Sequence, residues 1–208
     1  MGGGGHCKSV IEVIESTSHY SIAGIIDNDL TPGIMVGGYP VIGTDHDIPA
    51  LAAKGYAFHI TVGHIKSPAI RINIYKQITQ ADGQLPVIIA ATATVSKRAK
   101  IGAGTIIMHK AFVNADASIG SNCIINTGAV VEHDATIGHH CHISTGAYIN
   151  GGCTVHDNSF IGSSSVLVQG ITIATNNIIA AGAVVTHSTQ PDGVYAGVPA
   201  QLKKQQPS

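Results

Sequence analysis

The chain has no tryptophan, only 4% aromatic and 11% charged residues, and a formal net charge of -1. So balanced a charge leaves no electrostatic basis for binding nucleic acid or an anionic membrane surface. No run of eighteen apolar residues occurs, which excludes a conventional membrane-spanning helix. The first residues lack the basic and apolar regions of a secretory signal, so a cytoplasmic protein is expected. Paired cysteines are also missing. Cys7, Cys123, Cys141 and Cys153 form no CxxC unit, and they read as small buried thiols in a reducing compartment rather than as a disulfide framework or zinc site.

What the chain does have is a period of six. An aliphatic residue returns at Ile89, Val95, Ile101, Ile107, Val113, Ile119, Ile125, Val131 and so on to Ile179 and Val185, seventeen times without a slip. Four residues after each stands a small residue, with Ile171 and Asn177 as exceptions. Six fits neither a helix nor an alternating strand, but it fits a parallel β-helix in which three hexads make one triangular coil. The aliphatics fill the axis and the small residues turn the corners. Between five and six coils, at ~4.8 Å per stacked strand, give a prism roughly 27 Å tall. Such a fold accounts for both the scarcity of aromatics and the 25 glycines.

Before the hexads lies a different unit. Gly2-Gly3-Gly4-Gly5-His6 runs into an amphipathic segment ending at Glu15, and a glycine loop leading into a helix N-terminus is a phosphate-binding arrangement. Asp27-Asn28 follow an apolar run at 21–26, about where dinucleotide folds place an acid that holds a ribose hydroxyl. The strand that should precede such a loop is missing, so the glycines are either a flexible tail or the numbering begins one strand late. Helices are predicted over 48–54 and 67–80 and a strand over 58–62, giving a small Rossmann-like β/α domain with parallel strands at 1–84. The β-helix is expected at 85–200 and a polar tail at 201–208, whose Lys203 and Lys204 are read chiefly as solvated.

A β-helix has an apolar axis, so chemistry must sit on its faces or between prisms. The coil histidines His109, His133, His139, His140, His142, His156 and His187 include no pair 18 or 36 apart, the spacing that would stack two on one face for zinc, and no metal is expected. His133 stands between Glu132 and Asp134. A carboxylate partner fixes an imidazole in one tautomer and stabilises its conjugate acid, as a general base near neutral pH requires; otherwise it is a solvated histidine at an edge.

The stretch Asn126-Thr127-Gly128-Ala129-Val130-Val131-Glu132-His133-Asp134, the unbroken hexads, the ending Gly197-Val198-Pro199-Ala200 and the start Gly4-Gly5-His6 together resemble the PglD/NeuD family of bacterial sugar acetyltransferases. The resemblance covers essentially the whole chain. It implies a left-handed β-helix, a homotrimer, acetyl-CoA as donor, and a UDP-linked amino sugar or related sugar as acceptor. It makes His133 the general base and Asp134 the acid beside it, although close relatives carry Glu there, which leaves the reach of Asp134 open. It places His142 against the acetyl thioester, the Gly151 N–H near the thioester carbonyl, and the main chain of Ser163 and Ala181 along the pantetheine. Gly4, Gly5, His6, Asp27, Asn28 and Gly63 match the sugar-nucleotide pocket.

The reaction that follows is direct attack of an amine on the thioester, with His133 taking the proton and a backbone N–H such as that of Gly151 stabilising the oxyanion. Cys123 and Cys141, at packed corners, are poor nucleophiles. His133 and His142 are half a coil apart, so a centre is expected to take one from each of two chains. An O-acetyltransferase acting on sialic acid or a similar sugar is the near alternative, and a non-catalytic β-helical scaffold the distant one.

Overall fold

The computed structural model describes residues 1–205 of the chain. Seventeen two-residue strands, from β4 (Ile88–Ile89) to β20 (Val184–Val185), wind into a left-handed β-helix whose strands pair in parallel with those 18 residues away. The handedness follows from the corners. Every sixth residue from Gly104 to Gly182 has positive φ, among them Asp116, Asn122, Gly128, Asp134, Gly146, Gly152, Asn158 and Asn176. Glycine adopts that conformation freely, and Asn and Asp tolerate it better than other residues.

Within each strand the second residue points inward, as the two-residue repeat of a strand dictates. From Ile107 to Val185 these aliphatics are buried, together with the corner residues Ala117, Cys123, Ala129, Cys141 and Cys153. At the first coil the axis is open, and Ile89 is 38% exposed.

The outward residues give the three sheets different chemistry. One face reads Lys100, Ser118, Thr136, Thr154, Thr172 and suits water. A second reads Thr94, Phe112, Val130, Tyr148, Val166, Val184. The third reads Ile88, Ile106, Ile124, His142, Phe160, Ile178, and its lower half is covered. The cover is helix α1 (Gly5–Glu15), whose Val10 and Val13 pack on Ile88, Ile106 and Ile124.

The N-terminal domain is α/β, with differences from expectation. Strand β1 (Ile25–Ile26) pairs in parallel with β3 (Tyr39–Gly43), but β2 (Met35–Val36) forms an antiparallel hairpin with β3, so the sheet is mixed. Helices α2 (Ile48–Ala53) and α3 (Ala69–Gln80) lie close to their predicted places. The predicted strand at 58–62 is extended chain with only an isolated bridge, from Ala57 to Gln84. Its other side meets the first two residues of the chain: the Met1 amine donates to His59 O (2.7 Å), Thr61 N–H donates to Met1 O (2.9 Å) and the Thr61 hydroxyl to Gly2 O, while Gly2 N–H reaches Ile26 O on the far side (2.8 Å).

Arg71 of α3 joins the two domains. Only 1% exposed, it donates to Ile60 O and Val62 O of its own domain and to Asn122 O (3.2 Å) and Asn122 Oδ1 (2.6 Å) at a β-helix corner. Burial lowers its pKa to about 10.

At the far end β21 (Gly193–Ala196) continues the sheet of β19 (Ile178–Ile179), and β22 (Gln201–Gln205) pairs antiparallel with β21. The predicted polar tail is therefore an edge strand over its first five residues, exposed and lysine-bearing as edge strands often are; residues 206–208 lie outside the described part. Among the described residues no helix is long and apolar enough to cross a membrane.

Candidate active site

The candidate residues fall in three places. The first is the corner after the strand Val130–Val131. Asp134 occupies the left-handed position (φ 59), and this turn brings its Oδ2 to 2.8 Å from His133 Nδ1. The shorter acid thus reaches the ring. An acceptor at Nδ1 puts the neutral ring's proton there and leaves the Nε2 lone pair free. The hydrogen bond to Asp134, helped by the charges of Asp134 and Glu132, outweighs an opposing desolvation and raises the His133 pKa above 6.5. Glu132 is held in turn by Asn114 Nδ2 at 2.6 Å.

One coil along stands Gly151. A Cβ there would lie 2.8 Å from both Cε1 and Nε2 of His133, so the ring rests directly over bare backbone. Among the described residues the Gly151 N–H donates to nothing. The corner therefore places a bare imidazole nitrogen beside a backbone N–H, the pairing needed to take a proton while an oxyanion forms. Gly151→Ala must move the ring by several tenths of an ångström or more, and is expected to lower kcat roughly 10-fold or more with little change in Tm; steady-state kinetics beside a thermal melt check both.

The second place is the third face. His142 is buried, its Nδ1–H donating to His64 O (2.8 Å) and its Nε2 accepting from Asn126 Nδ2 (3.1 Å). Desolvation brings its pKa to about 4, with the nearby Arg71 charge assisting and the His64 hydrogen bond opposing, so the ring is neutral at physiological pH. The rings of His64 and Phe160 pack edge-on against it. Beside them opens a cavity of about 370 Å³ lined by Ile65, His142, Ser144, Phe160, Ser163 and Ala181. Three predicted residues, His142, Ser163 and Ala181, thus share one wall. His133 and Gly151 are absent from it, because they stand at a different corner of the prism.

The third place is the glycine loop. Gly4 precedes α1 with no side-chain cap, leaving the first N–H groups of the helix open, and both Gly4 and Gly5 face free space. Both Asp27 oxygens accept backbone N–H groups: Oδ2 from Gly3 (2.6 Å), Oδ1 from Asp29 and Leu30. Burial pushes its pKa up, but these three hydrogen bonds outweigh it and the net shift is downward. Asp27 therefore orders the loop instead of standing free for a ribose. Asn28 is tied to Asp45 through two hydrogen bonds of 2.9 Å. Gly63 backs onto the Cβ of His6, whose buried Nε2 has no partner among the described residues and whose pKa falls to about 4 through burial and the Arg71 and His142 charges.

Comparison with known proteins gives the assignment. Residues 1–78 match the model of the PglD N-terminal domain, and residues 98–133, 116–151 and 152–187 match the hexapeptide repeats of bacterial transferases. The acetyltransferase domain of PglB from Neisseria gonorrhoeae superposes with a TM-score of 0.91 at 32% identity, over 97% of this chain and 96% of that one. The chain belongs to the PglD/NeuD family of sugar acetyltransferases. The same gonococcal domain bound to acetyl coenzyme A matches at 33% identity and a TM-score of 0.89, over 97% and 96%. A variant of the GDP-perosamine N-acetyl transferase of Caulobacter crescentus, bound to CoA and GDP-perosamine, matches at 33% and 0.90, over 98% and 95%. No curated protein matches the chain.

Asn126, His64, Asn114 and Arg71 were not singled out in the sequence. Asn114, Asn126 and Asn150 each directly follow a hexad aliphatic, as Glu132 does, and that recurring polar position was the available signal. His64 and Arg71 leave none, since their partners lie 78 and 51 residues away.

Proposed function

We propose that this protein transfers the acetyl group of acetyl-CoA to the 4-amino group of a nucleotide-linked 4-amino-dideoxy sugar. The observation that carries this reading is the His133 corner: Nδ1 held by Asp134, Nε2 bare, and the Gly151 N–H beside it. The amine attacks the thioester carbonyl, His133 Nε2 removes the proton from the attacking nitrogen, and the Gly151 N–H receives the oxyanion. Asp134 keeps the ring in the productive tautomer and stabilises the imidazolium that forms. The thiolate leaves as CoA, with no acyl-enzyme. The free thiols of Cys123 and Cys141 are buried, which supports direct transfer.

The donor fits the wall of His142, Ser163 and Ala181, where a neutral His142 adds no charge beside the acetyl group. Gly4, Gly5, His6 and Gly63 form the pocket for the nucleotide sugar, its diphosphate at the open start of α1, with Asp27 ordering the glycine loop and Asn28 held by Asp45 behind it. A UDP sugar is the acceptor inferred from the sequence; the Caulobacter relative's complex with GDP-perosamine makes a GDP sugar the alternative base.

Three chains complete the enzyme in this reading. The face carrying Phe112, Val130, Tyr148, Val166 and Val184 is apolar and uncovered, with Tyr148 47% exposed, as a subunit interface would be. It ends at the His133 corner, so a neighbour packed there brings its own His142 wall to that corner. Mixing His133→Ala with His142→Ala chains is then expected to restore part of the activity; failure of mixed trimers to complement would place both histidines of a centre on one chain.

The deciding experiment is thiol release from acetyl-CoA with UDP- and GDP-linked 4-amino-4,6-dideoxy sugars and with free sialic acid. Turnover on a nucleotide amine that collapses in His133→Ala is the expected result. Turnover on sialic acid alone would make the protein an O-acetyltransferase, and turnover on none would favour the scaffold.

A further inference from the structure

The wall that carries His142 is made of β-helix with one exception. Of the residues lining its cavity of about 370 Å³, Ile65 alone comes from the N-terminal domain; the others, among them His142, Phe160, Ser163, Ile178 and Ala181, belong to the coils. Two held neighbours carry Ile65 to that position. Gly63 lies against the glycine loop, where an added Cβ would meet the His6 Cβ at 4.0 Å, and the His64 carbonyl accepts from His142 Nδ1 at 2.8 Å. Successive residues of one short segment thus meet the glycine loop, the buried histidine and the cavity in turn.

The lining has two chemistries. It is polar at Ser163 and Ala181, whose main-chain N–H groups have no acceptor among the described residues, and at the Ser144 hydroxyl, which shares a hydrogen bond of 2.9 Å with that of Ser163. It is apolar at Ile65, Phe160 and Ile178. A chain of amides joined by methylene groups, as the pantetheine arm of CoA is, uses both kinds of surface. Phe160 is already covered, since the rings of His64 and His142 pack edge-on against it. Ile65 is 61% exposed, so it is the large apolar side chain of this lining with most surface left to bury.

We propose that Ile65 is a donor-binding residue supplied by the N-terminal domain: it packs on the thioester end of the pantetheine arm, beside His142, and the β-helix alone makes an incomplete acetyl-CoA site. This role rests on the reading of that wall as the place of the donor. Ligand methylenes that cover the exposed part of one isoleucine change affinity by about 5–10-fold.

The test measures binding to the full chain by calorimetry, with CoA and with 3′-phospho-ADP, the portion of CoA that lacks the pantetheine arm. Ile65→Ser is expected to weaken CoA by about 5–10-fold and to leave 3′-phospho-ADP unchanged, while Ile65→Val stays within about 3-fold of the parent. Ile70→Ser is the control and should change neither ligand, because Ile70 of α3 is 66% exposed but outside the cavity lining. In steady-state kinetics the Ile65→Ser loss should appear in KM for acetyl-CoA, with KM for the acceptor unchanged and Tm within about 1 °C of the parent, as for a surface substitution. Parent-like CoA binding in Ile65→Ser would overturn the inference, and so would an equal loss for 3′-phospho-ADP, which would put Ile65 off the pantetheine path. A parent chain that binds no CoA would overturn the reading of the wall itself, and this role with it.

Discussion

His133→Ala is expected to lower kcat by about 10²–10⁴-fold and to leave Tm within about 2 °C of the parent. The two halves of this result have separate causes. The imidazole side chain is 56% exposed and its one strong partner is the still more exposed Asp134, so its removal opens no cavity and strands no buried group. What is lost is the only imidazole nitrogen standing free over the Gly151 backbone at this corner. A fall in Tm as large as that of a core substitution would mean that the ring is structural.

The pH dependence follows from the direction of the shift. The base works only when neutral, and Asp134 favours the protonated ring, so the acid limb of kcat/KM should have its midpoint above 6.5. Activity rises through that midpoint as pH increases. Asp134→Asn removes the hydrogen-bonded charge, so the midpoint moves to lower pH, while the plateau falls because the ring loses its fixed tautomer. A midpoint that stays in place in Asp134→Asn would show that another group titrates in the limb.

The β-helix was legible because its cause is local and repeated: each aliphatic enters the axis at the same point of the hexad. A second repeat was present, interrupted by Lys110, His140 and Ser164, and harder to see. Three residues after the aliphatic stand Gly104, Asp116, Asn122, Gly128, Asp134, Gly146, Gly152 and Asn158, the residues that tolerate positive φ. The small residue one place later masks it, because small side chains recur there as well. Asp134 serves both the turn and the candidate site, since the left-handed turn that suits an aspartate is also what brings its carboxylate back to His133. The glycine loop was legible as a loop. The engagement of Asp27 was not, because Asp29 and Leu30 form a local turn on one oxygen while Gly3, 24 residues away, takes the other. The end of the chain was misread for a different reason: lysine and glutamine mark a solvated tail and a protected edge strand alike, and only the pairing with Gly193–Ala196 distinguishes them.

Arg71→Leu is expected to have the largest effect on stability of any single change outside the prism axis. Among the described residues the guanidinium has no carboxylate partner; it is held by the carbonyls of Ile60, Val62 and Asn122 and by the Asn122 side chain. Leucine fills part of the volume but leaves those acceptors buried without a donor, at about 1–3 kcal/mol for each that neither water nor Asn122 rotation can satisfy. About 3–5 kcal/mol in all is reasonable after such relaxation, which corresponds to a fall in Tm of roughly 6–20 °C for a chain of this size. Arg71→Lys should lie close to Leu, because a single ammonium cannot span groups on two domains as the planar fork does. The damage should also reach substrate binding. Val62 leads directly to Gly63 and to His64, whose carbonyl holds the His142 ring, so releasing this strand loosens the nucleotide-sugar pocket and the His142 wall together. The expected kinetic signature is a rise in KM for both substrates, measured below the lowered Tm. A melt within about 2 °C of the parent would show that the two domains are held together by the packing of α1 on Ile88, Ile106 and Ile124 alone.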